Sequence, residues 1–153
     1  LLFTGARLNE ILSLQWEHVD LAARVIRLPD SKTGAKTIAL SAPAVEILCA
    51  LPKQDRNPFV ICGRKTGAHL VNLQKPWRRI RKAALIEDVR IHDLRHSFAS
   101  VAASGGMSLP LIGALLGHTQ PQTTHRYAHL ADDPRLAAAD AVGTTIAAAM
   151  KRN

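Results

Sequence analysis

Five of the seven histidines fall between His92 and His129, and the run His92-Asp93-Leu94-Arg95-His96 sets two imidazoles four residues apart beside a guanidinium. Two histidines at i and i+4 on a helix are the spacing of a zinc helix. The glutamate of that motif is absent, however, and the fixed charge of Arg95 would repel a metal. An arginine among histidines suits a phosphate better. The guanidinium offers a planar fork to two phosphate oxygens, and an imidazole can donate a hydrogen bond or move a proton near neutral pH. The chemistry these residues point to is phosphoryl transfer.

The elements that must position them are legible along the chain. Leu8, Ile11, Leu12 and Leu14 have helical spacing and predict a short amphipathic helix within Arg7 to Glu17. Val25-Ile26-Arg27-Leu28 and Thr37-Ile38-Ala39-Leu40 predict two strands joined by Ser31-Lys32-Thr33-Gly34-Ala35, with Phe59-Val60-Ile61-Cys62 as a third. Ser41 is the expected cap of a helix that turns Val45, Ile47, Leu48 and Leu51 to the core. A basic helix is expected from near Asn72. From His92 the chain reads as all helix: Asp93 to Ser104 ending at Gly105-Gly106, a second from near Ser108 to Gly117, and a third capped by Thr123 or Thr124 and carrying Tyr127. An alanine-rich tail, Leu136 to Met150, closes the pattern and alone would be a marginal helix. The expected fold class is mainly α with a small antiparallel β-sheet (α+β).

Composition fits a nucleic-acid partner. The 153 residues carry a net charge of +8 with a pI near 10.2, yet 47% are hydrophobic, so the charge sits on a folded body. Residues 64 to 82 hold Arg64, Lys65, Lys75, Arg78, Arg79, Arg81 and Lys82, seven cations without one acid. In a helix Lys75, Arg78, Arg79 and Lys82 share a face. A solvated helix face normally interleaves Glu with Lys, so this unbalanced stripe suits a polyanion with a phosphate backbone. Two cysteines, Cys49 and Cys62, are too sparse for a disulfide framework, and no apolar run reaches the roughly 20 residues of a membrane span. The expected location is a reducing cytoplasm. Leu1 in place of Met, and Leu1-Leu2-Phe3 reading as the end of an apolar helix, mark the chain as an expected fragment.

Four boxes carry a family resemblance. Thr4-Gly5-Ala6-Arg7-Leu8-Asn9-Glu10-Ile11-Leu12 resembles the first arginine box of the tyrosine recombinases, the phage-integrase family. His92-Asp93-Leu94-Arg95-His96-Ser97 is similar to its HxLRH box, and Leu115-Leu116-Gly117-His118 followed by Thr124 and Tyr127 to its LGH…Y box. Ser31-Lys32-Thr33-Gly34-Ala35-Lys36 resembles the hairpin that holds the family's lysine. The boxes stand in the family's order between Thr4 and His129.

The resemblance implies site-specific DNA recombination through a covalent 3′-phosphotyrosine. Tyr127, the one tyrosine in the chain, would attack a DNA phosphodiester and release a 5′-hydroxyl, with no cofactor and no metal. Arg7 and Arg95 would clamp the non-bridging oxygens, with His118 as a third donor. Lys32 would protonate the departing 5′ oxygen, with Lys36 its possible stand-in, and His92 would assist proton movement at the tyrosine. Surrounding Arg and His are expected to favour the phenolate. Glu10, three residues after Arg7, would orient its guanidinium, the alternative being an ordinary surface acid. Lys36, Lys75, Arg78, Arg79 and Lys82 are the expected DNA contacts, and His125 and His129 fall to structure or DNA contact.

By the same resemblance, residues 1–153 are a catalytic domain lacking its first helix and the N-terminal core-binding domain. The tail from 134 to 153 would be exchanged between protomers of a homotetramer on DNA, or fold back in cis without it. The alternatives are a type IB topoisomerase-like nicking and closing activity, a catalytically silent DNA-binding module, and a zinc hydrolase built on His92 and His96.

Overall fold

The computed structural model describes residues 1–30, 34–130 and 135–150, with backbone alone for 135–138. Ser31, Lys32 and Thr33 fall outside it. Near the start, α1 (Leu8–Leu12) leads through a 3-10 turn (Trp16–His18) into β1 (Val19–Asp20), β2 (Val25–Leu28) and β3 (Lys36–Ala39). The strands form one antiparallel sheet in the order β1-β2-β3, with Ile26 facing Ile38 across its centre. The helices α2 (Ala42–Ala50), α3 (Gln74–Ala83), α4 (Asp93–Ser104), α5 (Leu109–Leu116) and α6 (Pro121–His125) follow, then a 3-10 turn (Ala128–Leu130) and α7 (Arg135–Met150). The fold is mainly helical with a small antiparallel sheet.

Two apolar clusters divide the core. One gathers Ala6, Leu14, Ile26, Leu28, Ile38, Leu40, Ala44 and Val60 around the sheet; the other gathers Ala99, Ala103, Ile112, Leu116 and Tyr127 among the later helices. On α4 the buried residues are Arg95, Ala99 and Ala103, spaced by four, so small side chains let α5 approach closely while one arginine is carried inward. The clusters meet at Gly5, whose φ is 60° and whose missing Cβ would stand 2.7 Å from the Phe98 ring and 2.9 Å from Leu116. Only glycine suits both the left-handed backbone and that close approach.

Several expectations need correction. The third strand is β1, whereas Phe59 and Cys62 make only isolated bridges, to Gln15 and His69. On α2 Ala44 is the buried residue and Ile47 is 50% exposed. Pro121, not a threonine cap, opens α6, and Tyr127 lies just beyond that helix. The side chains of α7 from 139 to 150 are exposed.

Candidate active site

The C-terminus of α5 is where the site is built. Gly117 ends the helix in the left-handed conformation (φ 66°), leaving the carbonyls of Leu116 and Gly117 unpaired within the helix and facing α1, β3 and α4. Three cations converge on them. Arg95 donates to the Leu116 carbonyl at 2.8 Å and also to the Gly5 carbonyl, Lys36 Nζ donates to the Leu116 carbonyl at 3.2 Å, and Arg7 to that of Gly117 at 3.4 Å. The negative end of the helix dipole favours them. Arg95, 4% exposed, thereby ties the two core clusters together through Gly5 and Leu116.

Glu10 is the counter-charge. One carboxylate oxygen accepts from the Arg7 guanidinium at 2.9 Å, the other from Lys36 Nζ at 2.9 Å and from the Arg7 backbone N–H at 2.8 Å. The last bond also caps α1. Burial opposes its ionisation, but the bonds from the Arg7 N–H, the Lys36 ammonium and the Arg7 guanidinium hold the carboxyl below its ordinary range. Lys36, expected among the cations facing DNA, instead has a side chain only 6% exposed and is committed to Glu10 and Leu116. Its alternation on β3 points it inward, and burial lowers its pKa despite Glu10. Lys32 lies outside the described residues.

Beyond this clasp a cavity of about 250 Å³ is lined by Arg7, His92, Arg95, His96, His118, Thr123, Arg126 and Tyr127. His118 follows Gly117 directly, and its Nδ1 lies 2.8 Å from Thr124 Oγ1, which fixes the ring. Burial, with Arg95, Arg7, Arg126 and Lys36 nearby, lowers its pKa to about 4, so the imidazole is neutral at pH 7. Tyr127 is 5% exposed as a residue, its ring in the second core cluster and its hydroxyl at the cavity.

The environment of that hydroxyl corrects the expectation of a favoured phenolate. Burial raises the Tyr127 pKa, and the opposing influence of Arg126 and Arg95 does not overcome it. Nor is His92 the histidine beside it. His92 is exposed and meets His96 edge to face, with ring centroids 4.9 Å apart. The hydrogen-bonding neighbour of the phenol is His96, whose Nδ1 lies 2.6 Å from Tyr127 Oη. From sequence alone His96 belongs with the histidines suited to a phosphate, with no part at the tyrosine. Its place immediately after Arg95 was the available signal, but the contact spans 31 residues. Among the described residues no group of three His, Cys, Asp or Glu is placed to hold a metal.

On α3, Lys75, Arg78, Arg79 and Lys82 are exposed on the outside, while Trp77 is buried and its indole N–H donates to the Val89 carbonyl at 3.0 Å. Arg81 is drawn to the same carbonyl and leaves the stripe.

An arginine pair, a neutral histidine donor and a tyrosine around one cavity suit a phosphodiester, and comparison with known proteins agrees. The Phage integrase family profile matches residues 1–133. The chain is 33% identical over 129 residues to the shufflon-specific DNA recombinase of Escherichia coli, and 33% identical over 138 residues to the tyrosine recombinase XerA of Saccharolobus solfataricus. These matches take in 83% and 87% of the chain but only 32% and 44% of the relatives, so the chain spans less than half of either. Among solved structures, the catalytic domain of bacteriophage HP1 integrase superposes with a TM-score of 0.65 at 27% identity, covering 90% of this chain and 74% of that one. XerH recombinase bound to its difH substrate superposes with a TM-score of 0.68 at 28% identity, covering 91% of this chain and 43% of that one. With residues of its two arginine boxes and of its LGH…Y box around that one cavity, the chain belongs to the phage integrase family of tyrosine recombinases.

Proposed function

We propose that the chain is the catalytic domain of a site-specific DNA recombinase that cleaves and rejoins strands through a 3′-phosphotyrosine. The observation that carries this reading is the convergence of Arg7, Arg95, His118 and Tyr127 on one cavity. A phosphodiester there would meet two guanidiniums at its non-bridging oxygens, where charge grows as Tyr127 Oη attacks phosphorus. Loss of one such contact typically costs about 100- to 1000-fold in rate. With Nδ1 accepting from the Thr124 hydroxyl, a neutral His118 donates from Nε2, the tautomer the reaction needs. Lys32 is assigned to protonate the 5′ oxygen. Lys36 is unsuited, being held by Glu10 and the Leu116 carbonyl.

The exposed cations of α3 supply a surface for the DNA backbone, and phosphate contacts of this kind hold a duplex without reading its sequence. The solved XerH site-specific recombinase, similar in fold at 28% identity, is bound to a difH substrate. Residues 1–153 are assigned to the catalytic half of a longer, two-domain clamp that assembles as a homotetramer on DNA. The exposed side chains of α7, including Val142, Ile146 and Met150, support its docking on a neighbouring protomer rather than in cis. Among the described residues no helix is long and apolar enough to cross a membrane, and we assign the protein to the cytoplasm, at the nucleoid.

The test is a pool of nicked duplexes with randomised flanks, incubated with the protein in EDTA and run on a denaturing gel. A covalent adduct that disappears in Tyr127→Phe supports the recombinase. No adduct would favour a DNA-binding module, a zinc requirement the hydrolase, and adduct without strand exchange a topoisomerase-like enzyme.

A further inference from the structure

The phenol of Tyr127 must lose its proton to attack phosphorus, and burial makes that loss harder. Among the described residues one group stands within hydrogen-bonding distance of it. His96 Nδ1 is 2.6 Å from Oη, with the rings tilted by 48°. The separation suits an O–H···N bond in which the phenol donates. Two features fix the imidazole there. It projects from the second turn of α4, one residue after the buried Arg95, and its ring is braced by the edge-to-face packing of His92.

Resting on the recombinase reading, we propose that His96 is the general base of strand cleavage, taking the proton of Tyr127 at Nδ1. As Oη bonds to phosphorus the Oη–H bond breaks and its proton passes to His96, while the bond from phosphorus to the 5′ oxygen breaks. The leaving oxygen lies opposite the attacking one in an in-line displacement, so it takes its proton from an acid other than His96, the role proposed above for Lys32. In rejoining, the 5′-hydroxyl attacks phosphorus and loses its proton to that group, while the His96 imidazolium returns its proton to Oη as the tyrosine departs. No oxidant, metal or other reactant enters.

A base must be neutral before it acts, and the surroundings hold His96 so. On its own helix it faces His92 and Asp93, with Arg90 just before the helix; from the segment across the cavity it faces Arg126 and Tyr127. The one carboxylate, Asp93, is already engaged by Arg90 at 3.0 Å. Burial, then His92 and Arg126, outweigh it and lower the His96 pKa from its ordinary value of 6.5.

Two readouts test the proposal. Tyr127 is the one tyrosine, so a 13C label at Cζ reports on it alone. In wild type its resonance should shift as the pH falls below 6.5 and His96 protonates, and His96→Phe should abolish that inflection. Single-turnover cleavage of adduct-forming duplexes recovered from the randomised pool is the second. At pH 7 His96→Asn and His96→Gly should be about 100- to 1000-fold slower than wild type. The deficit should shrink about tenfold per pH unit upward, and added imidazole should rescue His96→Gly. Asn can occupy the Nδ1 position without being a base, so full rescue by Asn would reduce His96 to a positioning residue and overturn the proposal. So would faster cleavage in the variants, a pH-independent deficit, or no inflection in the wild-type resonance. Failure of wild type to form an adduct, with Tyr127→Phe no different, would instead overturn the recombinase reading and the proposal with it.

Discussion

Replacing Glu10 by Gln keeps the shape of the clasp and removes its one negative charge. Lys36 Nζ and the Arg7 guanidinium each stand 2.9 Å from the carboxylate. At an effective dielectric constant of about 20 each contact is worth about 6 kcal/mol of attraction, from which the desolvation of side chains only 6% and 8% exposed must be subtracted. Removing one partner of such a buried pair generally costs about 3–5 kcal/mol, because the other charge is left uncompensated. Here the orphan is Lys36, with Arg7 and Arg95 as like-charged neighbours. At about 2–4 °C per kcal/mol for a chain of this size, Glu10→Gln should lower the melting temperature by about 6–20 °C. The sign of the pH dependence follows from the lowered Glu10 pKa. Its stabilisation is complete above the unfolded value of 4.5 and lost as the pH falls through the folded value, so the acid-side loss of stability should be smaller in the variant. Urea unfolding of wild type, Glu10→Gln, Lys36→Met and the double variant gives the cycle, and the double variant should recover at least half the loss. A Glu10→Gln protein within 1 kcal/mol of wild type, or a strictly additive cycle, would refute the clasp as a coupled unit.

Three further outcomes follow from the same geometry. The His118 imidazole should titrate near pH 4 in the free protein and move upward in NMR spectra when inorganic phosphate screens Arg7 and Arg95; titration near 6.5 without phosphate would contradict the cationic surroundings. Neutralising Lys75, Arg78, Arg79 and Lys82 together should flatten the dependence of log K on log salt for duplex DNA by about 3–4, at roughly 0.9 per phosphate contact. Gly117→Ala should cost about 1–3 kcal/mol in backbone strain and more through Lys36, whose Cε would lie 2.6 Å from the new Cβ. That excess should vanish in a Lys36→Ala background.

What could be read from the sequence was what neighbouring residues determine. The extents of α4 and α5 follow from periodic apolar residues bounded by glycines, and Asp93–Ser104 is the span expected. The pairing of Arg7 with Glu10 is legible because three residues on a helix bring side chains together. The two-residue β1 carries no periodic signal, and Phe59 to Cys62 has the composition of a strand but no partner beyond single bridges. In sequence Lys36 reads as a DNA contact and possible stand-in for Lys32, and only the pairing of β3 with β2 turns Lys36 toward Glu10. His96 was the largest omission. Its position after Arg95 is local, but its meeting with Tyr127 depends on the packing of α4 against the turn at Ala128–Leu130.

Covalent attachment at one named residue is the most direct measurement. The adduct recovered from suicide DNA, digested and analysed by mass spectrometry, should carry its nucleotide on the peptide containing Tyr127, and Tyr127→Phe should yield none. An adduct on any other residue, or one formed equally by Tyr127→Phe, would contradict the assignment of Tyr127 as nucleophile.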